Sequence, residues 1–104
     1  MQATQEERDG TGILKVTGPM TIYEAGDLRK AFLEGFEEPG GLILDLAAVV
    51  ECDTAGIQLL CSARATAETE NRPFRIEAAS DAVRDALAAL GLSLSAIRPR
   101  TEEV

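Results

Sequence analysis

The 104-residue chain contains no histidine. That excludes nucleophilic catalysis by a serine–histidine pair. Cysteine is scarce as well, with only Cys52 and Cys61 present. Two readings of them stand: a redox pair or half of a metal site, or two small buried apolar side chains, as is common in cytosolic proteins. With no histidine and no third cysteine to complete a zinc site, the second is favoured and no metal is expected. Positive charge is also short. Ten basic residues face eighteen acidic ones, for a formal net charge of -8. No basic cluster offsets this, so phosphate backbones and anionic membranes should repel the chain, and no nucleic-acid partner is expected. No apolar run approaches the roughly 20 residues that span a bilayer, so direct membrane insertion is not expected.

Phosphate chemistry lacks its usual equipment. There is no Gly-rich loop ending in Lys-Ser/Thr, and "GTG" at Gly10–Gly12 lacks a third glycine and reads as a turn. No cofactor follows from the sequence. Carboxylates are plentiful, but the pairs Glu6-Glu7, Glu37-Glu38 and Glu102-Glu103 sit in termini or at a helix end. Solvated surface is their ordinary reading, and an opposed, desolvated pair of the glycosidase kind is not indicated. Asp45 is the odd carboxylate because it interrupts an apolar strand. A place near that strand's end, bonding backbone amides, accounts for it better than a catalytic role.

What is present suits one domain over residues 1–104. Hydrophobic residues make up 45% and charged residues 27%, the profile of an ordinary soluble globule. A domain of this size buries roughly 65% of the surface its unfolded chain exposes. "MQATQEERDG" is too polar and acidic for a secretory signal or a transit peptide. Residues 1–8 are expected to be loosely ordered and can form a ragged edge strand, and residues 99–104 are expected to be a loose tail. "DGTG" followed by "ILKVTG" predicts a hairpin whose second strand ends at Gly18-Pro19. Thr21 and Glu24 have the spacing of a capping box, which predicts a helix over residues 22–38 with Leu28, Ala31, Phe32 and Phe36 inward. "LILDLAAVV" is nearly all apolar, as expected of a strand buried on both faces. A second helix follows, with Ile57, Leu60 and Cys61 inward. "FRIEA" alternates like a strand, Ser80 or Asp81 caps a last helix, Gly91 ends it, and "LSLSAI" packs back on the core. The order implies an α/β fold: a mixed, largely parallel sheet of four to five strands flanked by helices.

Between the apolar strand and the second helix lies Cys52-Asp53-Thr54-Ala55-Gly56, a tight polar corner. Asp53 can accept the helix's first free amides, and the helix dipole favours its charge there. Thr54 falls in the first turn with its hydroxyl near the surface. Ala55 and Gly56 carry so little side chain that another backbone could approach. The corner is at the carboxyl end of a strand, where open α/β sheets place function. An ordinary N-cap with small residues for close packing explains the same residues.

The segment "LILDLAAVVECDTAGIQLL" resembles the centre of the STAS domain, the family of bacterial anti-sigma-factor antagonists. The family pattern is an apolar strand ending in Asp, a short spacer, then Asp-Ser-Ser/Thr-Gly-Leu opening a helix. Asp45 matches the strand Asp, and Asp53-Thr54-Ala55-Gly56-Ile57 matches the loop. "GPMTIYEAGDLRKAF" is similar to the family's first helix, and "PFRIEAASDAVRDALAALGL" to its final strand and helix.

The resemblance implies a non-enzymatic, cytoplasmic signalling module that docks on a protein through Asp53, Thr54, Ala55, Gly56 and Ile57 and the following helix. The partner implied is an anti-sigma-type kinase or a chemotaxis complex. One departure matters. The antagonists' phosphorylated serine directly precedes the glycine, and that position is Ala55 here. Thr54 is the hydroxyl left for phosphorylation. Relatives with Asp-Thr at this point include stressosome scaffolds and the STAS subunit of a phospholipid-transport ABC system. The alternative implied is therefore an accessory subunit that binds a transporter ATPase.

Overall fold

A computed structural model of the chain describes residues 1–94. The expected tail at 99–104 lies outside the described residues. The order of elements is β1 (Gln2–Arg8), β2 (Thr11–Met20), α1 (Ala25–Gly35), β3 (Leu42–Cys52), α2 (Thr54–Thr69), β4 (Phe74–Ala79) and α3 (Asp81–Ala89). The strands form one sheet in the order β1-β2-β3-β4. β1 pairs antiparallel with β2, whereas β2–β3 and β3–β4 are parallel. The fold is α/β with a mixed, largely parallel four-stranded sheet.

The hairpin forms where the turn chemistry places it. Asp9 and Gly10 both have positive φ, 53° and 83°. That is the conformation a two-residue hairpin loop needs to match strand twist. The edge strand expected within residues 1–8 is β1, paired along its length from Gln2↔Thr17 to Arg8↔Thr11. Nearly all of its side chains are exposed, so backbone pairing is its main hold on the sheet.

The sheet advances in one direction, so both parallel connections step the same way. Right-handed crossovers then place α1 and α2 on the same face. Accordingly, alternate sheet residues (Leu14 and Val16, Leu42, Leu44 and Leu46, Phe74 and Ile76) join one core with Leu28, Phe32, Ile57, Leu60, Val83 and Leu87. This corrects the expectation that β3 is covered on both faces. Double coverage needs a reversal of strand order, and none exists here. The opposite face carries Lys15, Thr17, Ala47, Arg75 and Glu77, all exposed. Asp45 stands there mid-strand, opposite Lys15, and not at a strand end. Its carboxylate accepts the Ala47 amide at 3.1 Å, beside a register shift in both flanking pairings.

The helices differ from expectation at both ends of α1, which stops at Gly35 and not at 38, and on the buried side of α2. α1 begins at Ala25, with Glu24 as an N-cap that makes no side-chain cap, so residues 22–24 are a turn and not its first helical turn. In α2 the buried set is Gly56, Ile57, Leu60, Ala63 and Ala67, and Cys61 is exposed. The small residues pull the centre of the buried arc away from Cys61. α3 is capped by Ser80, whose Oγ accepts the Val83 amide at 3.3 Å. It ends at Gly91 with the Gly91 and Leu92 amides on the Ala88 and Leu87 carbonyls, both at 2.9 Å, and Leu92 and Leu94 pack on the core. Among the described residues no helix is long and apolar enough to cross a membrane.

The end of the sheet opposite the corner is closed by Gly41. Its φ is +88°, and a Cβ there would stand 2.0 Å from the Pro73 carbonyl oxygen. That oxygen accepts the Leu42 amide at 3.0 Å, so the approach is part of the β3–β4 pairing. Gly41→Ala should cost about 2–4 kcal/mol, from the positive φ and the clash together. The check is a lowered urea midpoint with an unchanged m value; an unmoved midpoint would show that the end relaxes freely.

Candidate functional site

The corner is built where two chain segments meet at the carboxyl end of β2 and β3. Asp53 leaves β3 in an extended conformation, with φ -118° and ψ -174°, and caps α2. Its Oδ1 accepts the Gly56 amide at 3.0 Å. Its Oδ2 reaches the other way and accepts the amide of Ile22, 31 residues distant, at 3.1 Å. One carboxylate thus fastens the first turn of α2 to the β2–α1 turn. The Ile22 amide first, then that of Gly56, hold the Asp53 carboxyl below its ordinary value, so it is ionised at neutral pH.

Gly56 fixes how close the two segments come. A Cβ on it would lie 2.3 Å from the Met20 carbonyl oxygen and 3.0 Å from Cys52 Sγ. The backbone that the small residues admit is therefore the chain's own β2. Gly56 is buried and Ile57 is 1% exposed. Of the five residues expected at a docking face, these two are under the surface and set its shape. Asp53 and Ala55 are partly buried, and Thr54 is exposed. Thr54 is the first residue of α2, so a group on its hydroxyl would stand beside the ionised Asp53.

Cys52 sits just beneath. Burial first, then the Asp53 charge, push its thiol up to about 11. It is a thiol and not a thiolate at neutral pH, donating at 3.6 Å to the Asp53 carbonyl. Both cysteines are free. Among the described residues no group of three or more His, Cys, Asp or Glu side chains could hold a metal ion.

The sequence reading missed the other half of the corner. Thr21 and Glu24 do bond, but around a turn. The Glu24 Oε1 accepts the Thr21 amide at 2.9 Å and the Thr21 hydroxyl at 2.7 Å, and the Thr21 Oγ accepts the Tyr23 amide at 3.3 Å. The Thr21 hydroxyl, then its amide, lower the Glu24 pKa. This turn carries Ile22 and Tyr23 outward, 62% and 92% exposed. The usable signal was an apolar pair placed before the first inward position of α1.

Residues 3–97 match a family model described as Mlab, STAS domain. The solved structures similar to the chain include an anti-sigma factor antagonist from Mycobacterium paratuberculosis, at 22% identity and a TM-score of 0.70. The match covers 86% of this chain and 77% of that one. A Thermotoga maritima protein assigned to the same class is 16% identical with a TM-score of 0.78, over 93% of this chain and 83% of its own. A solved Mglu chain is 18% identical with a TM-score of 0.63, over 71% of this chain. This chain spans only 19% of the Mglu chain's length. At these identities the likeness concerns the fold. Among curated proteins no sequence matches this chain.

The clasp predicts a pH signature. The folded pKa of Asp53 lies below the ordinary 3.8. The stability its charge contributes is therefore complete above the unfolded value and is lost as pH falls through the folded one. Asp53→Ala should cost about 1–2 kcal/mol near neutrality, the size of a lost cap. That gap should hold steady down to about pH 5 and narrow below the ordinary Asp pKa. Urea titrations across pH are the check, and a gap that does not change with pH would mean the charge is not what holds the corner.

Proposed function

The chain belongs to the STAS-domain family, and on that footing we propose that it is a non-enzymatic regulatory module that binds a partner protein at the corner. The carrying observation is the pair of hydrogen bonds that the Asp53 carboxylate accepts, from Gly56 and from Ile22. It fixes Thr54 and Ala55 at the outer lip of α2, on a surface ordered before any partner arrives. A face ordered in advance loses less conformational entropy on binding. The partner we propose is an anti-sigma-type kinase or a chemotaxis-type signalling protein, met in the cytoplasm of a bacterium.

Thr54 is the proposed switch. Phosphorylation would add nearly two negative charges at the N-terminus of α2, where the helix dipole tolerates them. The same charges beside the ionised Asp53 would repel an acidic partner group and impose desolvation on an apolar one. Ala55, at the family's phosphoserine position, cannot be modified. Regulation here passes through Thr54, or binding is constitutive.

A second reading is an accessory subunit of a phospholipid-transport ABC system, docking on its ATPase through the same corner. Asp53-Thr54 resembles the corner of such a subunit, and the matching family carries the description Mlab. Affinity purification from the native host separates the two: a signalling kinase or chemotaxis proteins for the first, a transporter ATPase and permease for the second.

Ala55→Asp tests the docking face itself. The added carboxylate lies in the first turn of α2, where it suits the dipole, so the unfolding free energy from urea titration should hold within about 0.5 kcal/mol. Affinity for the co-purified partner should fall about tenfold or more, the effect of one unfavourable charge in a desolvated contact. Unchanged affinity with an intact fold would remove the corner from the interface.

A further inference from the structure

The β2–α1 turn combines two properties that rarely occur together. It is tightly ordered, and it shows its apolar side chains to water. Six hydrogen bonds hold it: Ile22 amide to Asp53, Tyr23 amide to the Thr21 hydroxyl, Thr21 amide and Thr21 hydroxyl to Glu24, Glu24 amide to the Thr21 carbonyl and Ala25 amide to the Ile22 carbonyl. Yet Ile22 is 62% and Tyr23 92% exposed. A rigid turn that presents an isoleucine and a tyrosine costs little entropy to bury, and tyrosine is a preferred anchor at protein interfaces.

The surroundings say what kind of surface would cover it. The two segments that build the corner, residues 18–27 and 49–58, carry Glu24, Asp27, Glu51 and Asp53 and no lysine or arginine. Glu24 and Asp53 are held ionised by their backbone and hydroxyl donors. The whole chain has a formal charge of -8, which disfavours a second copy as the occupant. We infer that Ile22 and Tyr23 are the apolar centre of the docking face, and that its occupant is a protein surface whose apolar pocket also covers Thr54 and Ala55 and carries lysine or arginine only at its rim, toward Glu24, Asp27 and Glu51.

This inference rests on the docking reading above, and the experiment separates the two. The photo-crosslinker p-benzoylphenylalanine replaces Tyr23, Thr54 or Glu77 in turn in the full chain, and native host cells are irradiated. Glu77 lies on the open face of the sheet and serves as the control. Positions 23 and 54 should capture the same protein, and position 77 should not. Capture from 54 without 23 overturns the inference and leaves the docking reading standing. Capture from 77 alone, or from none of the three, overturns both.

With the captured protein purified, the Ile22→Ser, Tyr23→Ser double variant should bind about tenfold or more weakly, as loss of a hot spot would have it. Its urea midpoint should be unchanged, since both side chains are outside the core. Glu51→Lys should weaken binding and flatten its dependence on salt. Tighter binding by Glu51→Lys, or affinity that rises with salt, would overturn the cationic rim.

Discussion

The corner depends on the carboxylate of Asp53, whose two oxygens take amides from segments far apart in the chain. Oδ1 holds Gly56 and so starts α2, while Oδ2 holds Ile22 and so bends the chain away from β2. A hydroxyl cap offers a single acceptor oxygen, whereas here each carboxylate oxygen takes one amide. A carboxylate reaches both, and it sits where the dipole of α2 favours its charge. The turn that presents Ile22 and Tyr23, the lip that presents Thr54, and the depth of Cys52 all follow from that placement.

The rest of the fold makes the clasp possible. The strand order advances in one direction, so α1 and α2 lie on one face of the sheet and their N-termini gather at the same end. The core of alternate sheet residues and inward helix residues holds α1 and α2 against that face. Gly56 then lets the first turn of α2 approach the Met20 carbonyl at the end of β2. A bulkier residue there would separate the two segments that Asp53 joins. The candidate site is therefore a surface, made of turns and a helix lip.

Much of this was legible in the sequence because it is local. Asp9-Gly10 named its turn, the alternation of strands and helices named the fold class, Gly91 and the pair Ser80-Asp81 marked the ends of α3, and Asp53 read as the cap of α2. What was not legible is non-local. The Thr-x-x-Glu spacing of Thr21 and Glu24 fits a capping box and a tight turn equally well. The bond from Ile22 to Asp53, across 31 residues, accompanies the turn. The same holds for Gly56, whose neighbour is the chain's own Met20. Cys61 was misplaced because Ala63 and Ala67 carry too little hydrophobic signal to show that the buried side of α2 is theirs. The one-sided cover of β3 was hidden because its apolar run shows strand character but not strand order.

The most direct test of the account is amide mapping by NMR, with the isotope-labelled chain titrated against the protein it co-purifies with. The account predicts that the largest shifts fall together on Ile22, Tyr23, Thr54 and Ala55, with Lys15, Arg75 and Glu77 on the open sheet face unmoved. Shifts gathered on that open face, with the corner silent, would contradict it.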